Sequence, residues 1–236
     1  LKEYENSNSE DVIETLDLWS MALPPFNGEV IDMKYRIMHG DKIGEEKKTE
    51  WDKIIELFNQ FNSASKYVFS VPMWNFGIPY ILKHYIDLIT QPSLAWSFSP
   101  DQGYRGLVDG KVVILYSSGG DYSVAGGLGE LDYQKKPLEN WLSFIGLKDI
   151  ETINIAPTLG SPEEVEEVIR RAKLEAREIV NNIYKNVQFN PIDKAPVFPL
   201  GTKNILDDKG VIMKNISENI TAGGKFKPDG KGGLIQ

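Results

Sequence analysis

Two short runs of the 236-residue chain carry residue types that could hold an aromatic ligand. Val71-Pro72-Met73-Trp74-Asn75-Phe76 follows an apolar stretch and joins one amide, able to donate and accept, to three side chains with broad apolar surface. Pro72 has no N–H and releases the chain from a strand ladder at that point. A flat ring with polar atoms along one edge needs this combination. The same residues also suit ordinary core packing at a strand end, and composition alone favours neither strongly. Ser117-Ser118-Gly119-Gly120 follows a second apolar stretch. Its glycines let a backbone approach a ligand closely and its hydroxyls can hydrogen-bond one, although a plain strand-to-helix turn uses the same residues. Gly126-Gly127-Leu128-Gly129 lacks the preceding strand that a dinucleotide fingerprint requires, so it receives no cofactor role.

Composition removes several other chemistries. The chain has no cysteine, which excludes disulfides, zinc-thiolate sites, iron-sulfur clusters and cysteine nucleophiles, and fits a cytoplasmic location. His39 and His84 are its only histidines, too few for a histidine-rich metal site, and both read as structural. No metal is expected. A net charge of −8 argues against nucleic acid as a partner. No stretch approaches the apolar length of a membrane span, and no charged-then-apolar leader opens the chain. Redox chemistry here would need a borrowed cofactor.

The elements that must position the two runs alternate strand and helix. Lys66–Val71 and Lys111–Tyr116 are short and β-rich, and each leads into one of the runs. Ile78, Ile81, Leu82, Tyr85, Ile86 and Ile89 follow the first at helical spacing, and Leu138, Trp141, Leu142 and Ile145 follow the second. A strand at Ile150–Ile155 precedes Ser161-Pro162-Glu163-Glu164, a helix start with its proline and acids correctly placed; Val165, Val168, Ile169, Ala172, Ala176, Ile179 and Ile183 give that helix its buried face. Nearer the amino end, Val12–Trp19 reads as an edge strand and residues 20–48 as loop with one short helix. Thr49 with Asp52 then resembles a capping box opening a helix that buries Trp51, Ile54, Ile55, Phe58 and Phe61.

This order predicts an α/β fold, an open parallel sheet with helices on both faces, whose ligands bind beyond the carboxyl ends of the strands. A central first strand would complete the sheet. The opening Leu1-Lys-Glu-Tyr-Glu reads like the end of a helix, so a segment upstream is expected. Residues 1–186 form the domain. From Val187 to Gln236 the proline- and glycine-rich composition reads as an arm, with seven lysines against five acids, suited to lying on an acidic surface such as a partner subunit's.

The run Pro72-Met-Trp-Asn-Phe-Gly-Ile-Pro-Tyr-Ile-Leu-Lys-His-Tyr-Ile-Asp87 resembles the signature of FMN-dependent NADH azoreductases and the related NAD(P)H quinone oxidoreductases. Gly106-Leu-Val-Asp-Gly-Lys111, Ser117-Ser-Gly-Gly120 and Trp141-Leu-Ser-Phe-Ile-Gly146 match in the family's order, and the resemblance spans about residues 12 to 180. It implies a flavodoxin-like fold and FMN as cofactor. Pro72, Met73, Trp74, Asn75 and Phe76 would contact the flavin ring, with Ser117, Ser118, Gly119 and Gly120 at its opposite edge. It further implies a homodimer in which Phe98 covers the substrate from the partner subunit, Phe144 lines the same pocket, Trp96 lies nearby, and Tyr122 faces the substrate as a candidate proton donor. The implied reaction is ping-pong: NADH or NADPH delivers hydride to flavin N5 and departs, and a quinone or azo compound then accepts the electrons. The family's serine-rich phosphate loop after a first strand has no counterpart in this sequence. A flavodoxin-like electron carrier or redox sensor, and a flavin-free structural relative, are the competing readings.

Overall fold

The computed structural model describes residues 4–5, 11–39 and 44–185, and the arm expected from Val187 lies outside them. Three parallel strands form the sheet: β1 (Lys66–Pro72), β4 (Lys111–Ser117) and β5 (Asp149–Ile155), in spatial order β1-β4-β5. The register runs from Lys66↔Lys111 to Pro72↔Ser117 and from Lys111↔Asp149 to Ser117↔Ile155, so all three strands end at one level. Helices α1 (Gly28–Met38), α2 (Glu45–Asn62), α3 (Tyr80–Ile89), α4 (Lys135–Ile145) and α5 (Pro162–Lys185) complete the frame.

Alternation along the strands sorts the apolar residues into two layers. Tyr67, Val71, Val112, Ile114 and Tyr116 pack with residues of α1 to α4 in the larger core, where Trp51, Ile54, Ile55 and Phe58 of α2 are all buried. On the other face Val113 and Ile153 pack with Ala172 of α5. Val68, the apolar residue of β1 on that face, is 55% exposed, since α5 packs over β4 and β5. Ile169, expected in the buried face of α5, is instead 41% exposed; it lies one position past buried Val168, outside the stripe through Ala172, Ala176 and Ile179 that packs with the sheet. The side chain of Ile183 is outside the described residues.

Three further expectations are corrected at the amino end and before β4. Val12–Trp19 is not a strand: residues 12–17 form no regular structure and a turn follows, because no described strand lies beside it to complete a ladder. The helix expected from Thr49 begins a turn earlier at Glu45, with extended Gly44 as its N-cap, so Thr49 lies inside it. The short helix within residues 20–48 is α1, whose N-cap Asn27 accepts from the N–H groups of Glu29 and Val30. At α5 the expected start holds: Ser161 N–H donates to the Glu164 carboxylate at 2.8 Å, and Glu164 N–H donates back to Ser161 Oγ at 3.3 Å.

An antiparallel hairpin not foreseen in the sequence, β2 (Trp96–Ser99) with β3 (Gly103–Gly106), lies across the end of α4. Gly146 caps α4 in the left-handed region at φ +117°, and a Cβ there would lie 2.3 Å from the Val108 carbonyl oxygen. A Cβ on Gly106 would meet Gly146 N at 2.2 Å. Backbone therefore sits directly on backbone at this joint. Gly146→Ala combines a disfavoured φ with that clash, and a loss on the order of 3 kcal/mol is expected, lowering the melting temperature by about 6–12 °C. Thermal unfolding by circular dichroism checks this; an unchanged melting temperature would mean the joint opens without cost.

Candidate functional site

The Val71–Phe76 run leaves the carboxyl end of β1, and the Ser117–Gly120 run leaves that of β4 beside it. Pro72 has no N–H, but its position faces away from β4, and Met73 N–H donates to the Ser117 carbonyl at 2.7 Å as the next rung of the ladder. The chain then reverses. Trp74 and Gly77 exchange hydrogen bonds at 2.8 and 3.0 Å around Asn75 and Phe76, whose φ values are +47° and +72°. Positive φ at both central positions is the type I′ hairpin turn. Asparagine tolerates it; phenylalanine does so only under strain, on the order of 1–3 kcal/mol.

The turn presents its side chains outward. Trp74 and Phe76 are 45% and 44% exposed, and Trp19 stacks against Trp74 with centroids 5.3 Å apart. Among the described residues the Asn75 amide takes no hydrogen bond, and the N–H groups of Asn75, Phe76, Gly119 and Gly120 donate to none. The carbonyls of Phe76, Ser118 and Gly119, by contrast, are engaged. Phe76 C=O accepts from Tyr133 N–H at 2.9 Å, Ser118 C=O from Thr158 N–H and Oγ1 at 3.0 Å, and Gly119 C=O from Leu159 N–H at 3.0 Å. Ser118 is buried and its hydroxyl donates to Gly120 C=O at 2.8 Å, so it shapes the loop instead of presenting a free hydroxyl.

Tyr122 spans the two runs. Its ring meets Phe76 edge-on at 6.2 Å, and a Cβ on Gly120 would touch it at 3.5 Å. Beneath the loops, burial first and the Glu139 carboxylate second hold the Tyr116 hydroxyl far above the ordinary phenol range, leaving it protonated to donate to Glu139 at 3.2 Å. The Ser123 N–H holds the Asp121 carboxyl below its usual range.

Phe98 and Phe144 lie elsewhere in the same chain. With Trp96 and Tyr104 they form an aromatic cluster, its neighbouring centroids 4.9–5.9 Å apart and its Phe98, Tyr104 and Phe144 rings exposed. α4 begins beside Val71, where Gln134 Nε2 meets the Val71 carbonyl, and ends where the Ile145 carbonyl accepts from Val108 just before β4 starts. The cluster therefore sits at the amino ends of the strands, about 20 Å from the two loops at 3.3 Å per residue of β4. Trp19, Tyr133, Gln134, Thr158 and Leu159 border the loops without having been singled out in the sequence. For the last four, the rule that ligands gather beyond the carboxyl ends of strands supplies the signal; for Trp19 there is none, since it comes from an irregular segment.

An aromatic surface flanked by unspent N–H donors fits an isoalloxazine ring, which has acceptors along its pyrimidine edge. A phosphate is less well served. At the N-terminus of α5, the helix following β5, Glu164 already takes the Ser161 amide. Among the described residues there is no cluster of acids and histidines able to hold a metal, and no helix long and apolar enough to cross a membrane.

A sequence profile for a family described by its flavodoxin-like fold matches residues 1–180. An FMN-dependent NADH:quinone oxidoreductase from Desulfotalea psychrophila is 45% identical over 173 residues, covering 73% of this chain and 81% of that protein. One from Nitratidesulfovibrio vulgaris is 36% identical over 179 residues, 75% of this chain and 85% of its own length. Among solved structures, an azoreductase from Bacillus anthracis str. Sterne superposes with a TM-score of 0.70 at 28% identity, over 77% of this chain and 86% of that one.

The turn separates two duties of Asn75. Asn75→Gly should keep the positive φ and leave the melting temperature of the ligand-free protein about unchanged, whereas β-branched Asn75→Val should cost about 1–2 kcal/mol. Equal melting temperatures for the two variants in thermal scans would show that this backbone conformation is not held.

Proposed function

The chain belongs to the flavodoxin-like family that includes the FMN-dependent NADH:quinone oxidoreductases, and on that premise we propose that it passes electrons from NADH through FMN to a quinone or azo aromatic. One observation carries the reading: two loops joined by the Met73–Ser117 hydrogen bond offer an exposed aromatic face and four unspent N–H groups at the carboxyl edge of a parallel sheet. FMN, when bound, supplies the redox chemistry, accepting a hydride from the nicotinamide and giving two electrons to the acceptor. NADH is the donor for which the curated relatives are named.

The chain's own residues bind and orient. Pro72, Met73, Trp74, Asn75 and Phe76 would lie along one side of the ring, with the amide of Asn75 and the local N–H groups on its polar edge. Ser117, Ser118, Gly119 and Gly120 would border the opposite edge. Tyr122, beside Phe76 and Gly120, is the candidate to orient the acceptor and give it a proton.

The site-bearing unit is residues 1–186, and we infer that it works as a homodimer. Phe98 and Phe144 are a strand's length from their own chain's loops, so a second copy must bring them over a flavin. The cytoplasm, which suits a cysteine-free chain using NADH, is the proposed location.

Full-length purified protein is expected to carry the absorbance of bound flavin, to release FMN identified by mass, and to oxidise NADH steadily with menadione. Flavin bound without steady NADH oxidation would point to an electron carrier; colourless protein that takes up no FMN would point to a flavin-free relative. Trp74→Ala should weaken FMN about tenfold. Phe98→Ala should raise KM for menadione about five- to tenfold while leaving FMN affinity unchanged, as expected for a group that touches the acceptor only.

A further inference from the structure

Gln134 is 1% exposed, immediately before α4, and its Nε2 donates to the Val71 carbonyl at 2.9 Å. The preceding residue grips the other end of the same segment, where Tyr133 N–H donates to the Phe76 carbonyl at 2.9 Å. Consecutive residues of one short connection thus hold the first and last carbonyls of Val71–Phe76. That connection is itself fixed. Asp132 Oδ1 accepts from the N–H groups of Gln134 and Lys135 at 3.0 and 3.1 Å, and its Oδ2 lies 3.3 Å from Lys135 Nζ. Asp132 so ties the clasp to the first turn of α4, which packs on the sheet through Leu138, Leu142 and Ile145.

We propose that Gln134 is a positioning residue for the flavin ring: it acts through the Val71 carbonyl to hold the Trp74–Gly77 turn at the height where its outward N–H groups meet the ring's edge. This rests on the FMN reading above. A buried primary amide is justified here by its donor. Val71 pairs with Tyr116 in the β1–β4 ladder, and the Gln134 amide is a further donor on its carbonyl, so losing it removes one restraint on the peptide that leads into the turn. Ring recognition tolerates little movement there, since donors must stand within about 0.5 Å of their places. Gln134 has its side chain spent on Val71, and so is set apart from the residues that touch the ring.

The test titrates FMN into the full-length ligand-free protein and records the visible circular dichroism of the bound flavin, for wild type, Gln134→Leu, Gln134→Glu and Thr90→Val. Thr90→Val is the control, because it removes another buried link to α4, the 2.8 Å bond from Trp141 Nε1, away from the turn. Gln134→Leu should raise the FMN dissociation constant about tenfold and change the flavin dichroism. Thr90→Val should lower thermal stability without either effect. Gln134→Glu adds a second measurement that does not require the leucine variant to fold. Its neutral carboxyl can donate to Val71 and its carboxylate cannot, so FMN affinity should fall as pH rises through that ionisation, beyond any change in wild type over the same range. Folded Gln134→Leu that binds FMN with wild-type affinity and dichroism, or Gln134→Glu that follows the wild-type pH profile, would overturn the proposal. A wild-type chain that takes up no FMN would instead sink the flavin reading itself.

Discussion

The site depends on the hydrogen bond from Met73 N–H to the Ser117 carbonyl, 2.7 Å long and one residue beyond the end of β1. Pro72 cannot donate, and without the next contact the two loops would separate where the strands do. With it, runs of chain far apart in sequence begin at one level on neighbouring strands. The sheet registers that alignment through seven consecutive pairs, from Lys66↔Lys111 to Pro72↔Ser117. Helices on both faces stiffen it: buried Ile114 and Tyr116 lie on one side of β4, and Val113 packs with α5 on the other.

Above that level the backbone sorts its own polarity. Carbonyls of Val71, Trp74, Phe76, Ser118, Gly119 and Gly120 are accepted into the protein's internal hydrogen bonds, while four N–H groups along the two loops are left over. The rim consequently carries unpaired main-chain donors, although the molecule as a whole is acidic. Strain at Phe76 falls in the same turn, where the consecutive N–H groups of Asn75 and Phe76 take no partner among the described residues.

Periodicity made the parallel sheet and its covering helices legible. Each buried residue expected on α2 is buried, and the three strands of the parallel sheet fall within a residue of their expected bounds. What escaped was set by partners rather than by local pattern. Val12–Trp19 has β-like residues but, among the described residues, no strand beside it to pair with. The hairpin β2–β3 has strands of four residues, too short for alternation to register, and owes its place to the glycine contact with α4. At the site, residue types identified the two loops, but they could not report that the Ser118 hydroxyl turns inward or that Tyr133 and Gln134 close on the turn from a later segment. Those facts belong to three-dimensional neighbours.

The joint between Gly106 and Gly146 also bears on how such a protein can diversify. Because backbone meets backbone there, the seat of the hairpin admits almost no substitution, while Phe98 and Tyr104 keep exposed ring surface and pack chiefly with one another, Trp96 and Phe144. Mutational drift can therefore rewrite the hairpin's outer face without disturbing the loops at the far end of the sheet. The architecture separates an anchor fixed by geometry from an aromatic tip, so that changes at the tip alter contacts made outside the chain before they alter the fold.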